Sequence, residues 1–191
     1  VSGHLRCAAA LAAALSFFAA SAAAAVDPRL CAACHGPEGN SVIPANPSIA
    51  AQPAQFISTE LFQFREGNRK DAQMTPMAAN LTNAEMNELA AYFSKQKAAA
   101  PSHKTAPENA AVGPKLAQQF NCVQCHGPAL LGQQHIPRLA GQQHQYLLTQ
   151  LRGFKTRTRA DLDGNMTAAT EPLTDKDIEI LADYLSGLTP P

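Results

Sequence analysis

Two five-residue stretches constrain this chain more than anything else in it. Cys31-Ala32-Ala33-Cys34-His35 and Cys122-Val123-Gln124-Cys125-His126 share the pattern C-x-x-C-H, and each is followed by Gly-Pro. The pattern is that of covalent haem c attachment. Two thiols three positions apart face one side of a helical turn. They can add to the two vinyl groups along one porphyrin edge, and the next residue, His, then sits under the iron as proximal ligand. Three other chemistries use such cysteines. One Zn ion held by four thiolates leaves unexplained why a His follows both motifs, and why the motifs lie so far apart. Redox dithiols need a βαβ context, and no strand pattern lies nearby. Disulfides stay compatible with an exported chain.

Export is the reading of residues 1–25. His4 and Arg6 give a short positive start, Cys7 to Ala20 is an apolar run, and Ser21 to Ala25 suits a small-residue cleavage site. The run has about 14 residues against the ~20 that span a bilayer, so a cleaved signal with its cut near Ala25 is expected, and Cys7 leaves with it. The other four cysteines remain.

The similarity between the halves extends beyond the cysteines. Pro47-Ser48-Ile49-Ala50-Ala51-Gln52 parallels Pro137-Arg138-Leu139-Ala140-Gly141-Gln142. Gln55 to Leu61 parallels Gln145 to Leu151, and Leu81-Thr82 to Met86 parallels Leu173-Thr174 to Ile178. Matches in the same order imply two copies of one small domain: 26–97 and 111–191, joined by a Pro-containing linker at 98–110. The chain of 191 residues has 8 Phe, 3 Tyr and no Trp. Each unit is near the size below which a plain core is marginal, and a buried haem supplies the missing apolar volume. The 15 Lys+Arg balance the 15 Asp+Glu, which leaves no basic excess for a nucleic acid.

Each unit reads as helical. Apolar residues recur at helical spacing over Gln55 to Arg65 and Gln145 to Lys155. Thr82-x-x-Glu85 is a capping box and Thr174-x-x-Asp177 is close to one, and each opens a final helix. An iron used only for electron transfer wants both axial positions filled. Met166 lies seven residues before Leu173, and Met74 lies seven before the matching Leu81. The repeat therefore selects Met74 over Met77 and makes Met77 and Met86 packing residues. His103, in the linker, and His135 and His144, which face Ala45 and Ala54 in the repeat, read as surface histidines. Pro47 and Pro137 are candidates to offer a fixed carbonyl to the proximal His, or simply to make a turn. Arg65, Arg69, Lys70, Arg152, Lys155, Arg157 and Arg159 are candidates to pair with haem propionates or steer a partner, and read equally well as a solvated face.

On these motifs, together with Gly39-Asn40-Ser41, the Pro-x-[Ile/Leu]-Ala-x-Gln segments and the Leu-Thr-x-x-[Glu/Asp] helices, the chain resembles the dihaem cytochromes c of the cytochrome c4 family over nearly all of its mature length. The resemblance implies an all-α fold of two tandem class I cytochrome c domains, each wrapped around a covalent haem c. It implies thioether attachment at Cys31, Cys34, Cys122 and Cys125, proximal ligands His35 and His126, and distal ligands Met74 and Met166. It implies a periplasmic, monomeric electron carrier, not an enzyme, between quinol-oxidising complexes and haem–copper oxidases. Its partners would be redox proteins, and association with the membrane surface is left open. The runner-up is a dihaem electron-accepting subunit of a periplasmic dehydrogenase such as a flavocytochrome. A dihaem peroxidase would need an open iron, and both halves offer a Met. Family domains begin with a helix before the first Cys, yet only Val26 to Leu30 precede Cys31 after a cut at Ala25. The first haem is therefore expected to be the more exposed and the lower in potential.

Overall fold

The computed structural model describes residues 26–190; the signal expected over 1–25 lies outside them. The described chain holds nine α-helices and one short 3-10 helix, Pro37–Gly39, with no strand and one isolated bridge, Gln133 to Ile136. The first half holds α1 (Arg29–His35), α2 (Ala54–Arg65), α3 (Met74–Ala78) and α4 (Asn83–Ser94). The second half holds α5 (Pro107–Gln119), α6 (Cys122–His126), α7 (His144–Lys155), α8 (Asn165–Thr170) and α9 (Asp175–Gly187).

Both capping boxes form. The Thr82 and Thr174 hydroxyls accept from the amides of Glu85 and Asp177, whose carboxylates take the Thr amides in return. Each box satisfies orphan amides at the start of the helix that carries the core stripe. Met86, Leu89 and Phe93 are buried on α4; Ile178, Leu181 and Leu185 are buried on α9.

The second half has the larger core. Leu116, Leu130, Leu147, Leu148 and Leu173 join the α9 stripe, whereas Ile57, Leu89, Ala90 and Phe93 form the buried cluster of the first. Helix α5, which packs on α9, adds Leu116 and Ala117 to that core. That helix starts at Pro107, so residues 107–110 of the expected linker are helical, and a second proline, Pro114, lies inside it. Proline is tolerated at a first helical position because its missing N–H would be unsatisfied there anyway. Both prolines meet that local rule, and burial of Gly113, Leu116 and Ala117 on the longer helix favours the earlier one. A Cβ on Gly113 would come within 2.4 Å of Tyr184, so the two helices touch backbone to ring. The matching Tyr92 of α4 is 38% exposed among the described residues.

The loop after each C-x-x-C-H is built alike. Amides of Ile49 and Ala50 donate to Gly39 O, and those of Leu139 and Ala140 donate to Leu130 O. Both acceptors have positive φ, 82° at Gly39 and 56° at Leu130. Leucine is strained there, and the packing explains why the halves differ. A Cβ on Gly39 would strike Phe93. In the second half, position 93 is matched by the smaller Leu185, and the buried Leu130 fills the space.

Candidate haem sites and the seam between them

Each Pro-x-[Ile/Leu]-Ala-x-Gln segment works at both ends. At its start, Pro47 O accepts from His35 Nδ1 at 2.8 Å, and Pro137 O accepts from His126 Nδ1 at 2.8 Å. A carbonyl can only accept, so Nδ1 carries the proton and Nε2 is left with its lone pair. This decides between a fixed acceptor and a plain turn. Both histidines are buried, 7% and 4% exposed. Burial holds their pKa values below the ordinary value, though the proline carbonyls oppose this. They are thus neutral imidazoles, the form that binds a metal.

None of the four motif cysteines is paired with another cysteine. Cys31 and Cys122 are half-buried, Cys34 and Cys125 exposed. Burial raises the Cys31 and Cys122 pKa values. Among the described residues the thiols are not gathered as metal ligands, which removes the four-thiolate Zn reading. No disulfide joins them.

Met74 opens α3 and Met166 lies in the first turn of α8. Each backbone amide is tied to an aspartate: Met74 N–H to Asp71 at 2.9 Å and Met166 N–H to Asp161 at 2.6 Å. An open cleft lies beside each, lined by Gly67, Lys70, Asp71 and Thr75 in one half and by Arg159, Asp161, Gly164 and Thr167 in the other. Met77, expected to pack, is instead 55% exposed, while Met86 is buried as expected.

At its other end each Gln crosses to the opposite half. Gln52 accepts from Arg138 N–H at 2.8 Å and donates to Arg138 O at 3.0 Å. Gln142 accepts from Ser48 N–H at 2.7 Å and donates to Ser48 O at 2.9 Å. Ser48 and Arg138 are matched positions, so the two clamps are related by a pseudo-two-fold axis. Each grips the residue directly after the proline that holds a His.

A charged cluster sits on the same seam. Arg69 donates to Glu60, to Tyr146 OH at 3.2 Å and to Gln150 at 3.1 Å. Arg159 donates to Gln150 at 2.5 Å and to Glu60 at 3.4 Å. Their guanidiniums stack on the matched rings of Phe64 and Phe154, 4.5 and 4.4 Å from the centroids. Two largely buried cations share one carboxylate. Burial depresses the Arg159 pKa, and its Nε–H has no acceptor. Arg138 is 2% exposed; its guanidinium donates to the Ala50 and Ala140 carbonyls, and among the described residues no carboxylate pairs with it. Burial pulls its pKa down to about 10, and its Nε–H is also unpaired. Of the basic residues singled out in the sequence, Arg69 and Arg159 are therefore seam residues; Arg157 is exposed.

Neutral histidines with a free Nε2, cysteines one turn apart and a buried cationic excess make a donor set that fits haem c and its carboxylates. Comparison with known proteins agrees. The family model for cytochrome c matches residues 19–97 and again 110–189. The chain belongs to the cytochrome c family, in its dihaem cytochrome c4 branch. It is 36% identical over 171 residues to cytochrome c4 of Thiocapsa roseopersicina, covering 84% of this chain and 88% of that protein. It is 34% identical to the thiosulfate dehydrogenase electron acceptor of Thiomonas intermedia, covering 87% and 82%. The crystal structure of reduced recombinant cytochrome c4 from Pseudomonas stutzeri superposes with a TM-score of 0.77 at 32% identity, covering 83% of this chain and 93% of that one. This cytochrome thus carries two covalent haem c groups, one at Cys31/Cys34 and one at Cys122/Cys125.

Proposed function

We propose that this cytochrome is a monomeric, periplasmic electron carrier with two His/Met haem irons. In this reading residues 1–25 are a cleaved signal, and domains 26–97 and 111–191 each hold one haem. His35 and Met74 ligate the first iron, His126 and Met166 the second. The observation that carries the reading is the matched pair of buried, neutral histidines, each fixed through Nδ1 by a proline carbonyl. When bound, each haem iron cycles between ferrous and ferric and so holds one electron.

The protein's part is to fix ligands rather than to do bond chemistry. The Pro47 and Pro137 carbonyls set the imidazole tautomer and orientation and raise its basicity. The Asp71 and Asp161 carboxylates hold the backbone from which Met74 and Met166 project. The Met74 and Met166 thioethers, as iron ligands, would raise the potential and keep small molecules off the iron, which argues for a carrier over a peroxidase. Among the described residues no helix is long and apolar enough to cross a membrane. Electrons would come from a quinol-oxidising complex and go to a haem–copper oxidase.

A second reading rests on the likeness to a thiosulfate dehydrogenase electron acceptor: a fixed electron-accepting subunit of a periplasmic dehydrogenase. Purification from periplasmic and membrane fractions at native abundance separates the two. A free protein of mature mass plus two haems, starting near Val26 and reoxidised by membranes containing the terminal oxidase, is the expected result. A stoichiometric dehydrogenase chain that stays bound through the purification would establish the second reading instead, and a single haem addition would overturn both.

A further inference from the structure

One cluster of ligand-type side chains lies away from both C-x-x-C-H motifs. His103 of the linker, His144 at the start of α7 and Asp183 of α9 each bring one nitrogen or oxygen to within 4.8 Å of the others. All three are part-buried, so His103 and His144 lie at the surface only in part. The two imidazoles stack, 4.7 Å between centroids and 9° between planes. His103 Nε2 lies 2.6 Å from Asp183 Oδ1. The other carboxylate oxygen, Oδ2, accepts from Ala106 N–H at 3.0 Å and from Asn109 Nδ2 at 2.9 Å. Two donors thus orient the carboxylate and leave Oδ1 facing the rings, the outer support that metal-ligating carboxylates have.

We propose that His103, His144 and Asp183 form a binding site for a borderline divalent cation of the Zn2+ type. Two imidazoles and one carboxylate are a zinc ligand set, with water completing a tetrahedron. Ligand atoms on such an ion stand about 3.4 Å apart, so the 2.6 Å contact between His103 and Asp183 would open to admit it. Burial, and then the neighbouring His103, keep the pKa of His144 low and favour its neutral, ligating form, against the pull of Asp183. On binding, His103 would give up its Nε2 hydrogen bond to Asp183 and ligate as the neutral imidazole with its N–H at Nδ1, and nothing is oxidised or reduced. His144 and Asp183 are matched by Ala54 and Ala91 in the first half, so the repeated fold does not require the cluster. The bound ion would tie the linker to two helices of the second half.

The test uses the intact dihaem protein, freed of adventitious metal with a chelator. Titration calorimetry with ZnCl2 is expected to find one site in the wild type and in His135→Ala, which removes an exposed histidine elsewhere. His144→Ala is expected to weaken binding at least about tenfold. Among the described residues His144 makes no side-chain hydrogen bond, so this variant keeps the linker bonds to Asp183. Trypsin supplies a second readout: zinc is expected to slow cleavage after the exposed Lys104 in the wild type and not in His144→Ala. A wild type that binds no zinc, binding that His144→Ala leaves unchanged, or equal protection of both proteins overturns the site.

Discussion

Met77 lies one turn from Met74, and nothing in the local sequence ranks the two as iron ligands. The seven-residue spacing to Leu81, shared by Met166 and Leu173, does so. The protein adds an independent distinction, because Met74 and Met166 have aspartate-held amides while Met77 stands in solvent. Replacing Met74 or Met166 by Ala is expected to remove about half of the sulfur-to-iron charge-transfer absorption of the ferric protein, since one iron of two loses its thioether. Met77→Ala is expected to leave the band intact; if it removes half instead, the pairing of the repeats is out of register. Other single-residue features had no such signal. The Asp183 cluster joins residues about 80 positions apart, which no window reads. Leu130 occupies a left-handed conformation normally sought as Gly, and only its contact with the core explains it.

Among the elements, the final helices were the most legible. A capping box followed by an apolar stripe is local information, and α4 and α9 begin where the boxes place them. The start of α5 was less so, because Pro107 and Pro114 both look like first positions and packing on α9 separates them. That packing is tight at one point. Gly113→Val would drive a branched side chain into Tyr184, whose ring already lies 2.4 Å from the position of a Cβ. Overpacking of this kind costs about 1–3 kcal/mol. The variant is expected to lower the denaturant midpoint of the second domain, followed through its haem absorption, and to leave the first domain's transition in place. A midpoint equal to the wild type would mean the helices can separate at no cost.

In the whole molecule, the crossed glutamines couple what the sequence presents as two separate sites. Gln142 holds the Ser48 peptide, next to the Pro47 carbonyl that His35 uses; Gln52 does the same for Arg138 and Pro137. Weakening a carbonyl bond to a ligating His makes the imidazole a poorer donor to ferric iron. Gln142→Leu is therefore expected to raise the potential of the first haem although the residue belongs to the second half, and Gln52→Leu to raise that of the second. In the unaltered protein the second haem is expected to be the higher. Arg138 is a buried cation without a carboxylate beside the His126 support, and it disfavours a ferric charge. Redox titrations of the Gln variants, with waves assigned by Met74→Ala and Met166→Ala, check both statements. If Gln142→Leu moves only the second wave, the clamps do not act across the seam. If the wave lost with Met74 is the higher one, the order is reversed.

The seam has the form of a two-fold homodimer contact, in which a patch meets its own likeness. The tether's task is then reduced to holding two compatible surfaces at high effective concentration. The halves are not equally able to meet copies of themselves. Two first halves would set two Glu60 carboxylates against two Arg69 guanidiniums, an even charge count. Two second halves would bring together two Arg159 and two Gln150, with Arg138 twice over and no acid among them. A chain severed at its linker thus leaves first halves free to associate with either kind, and second halves with only one.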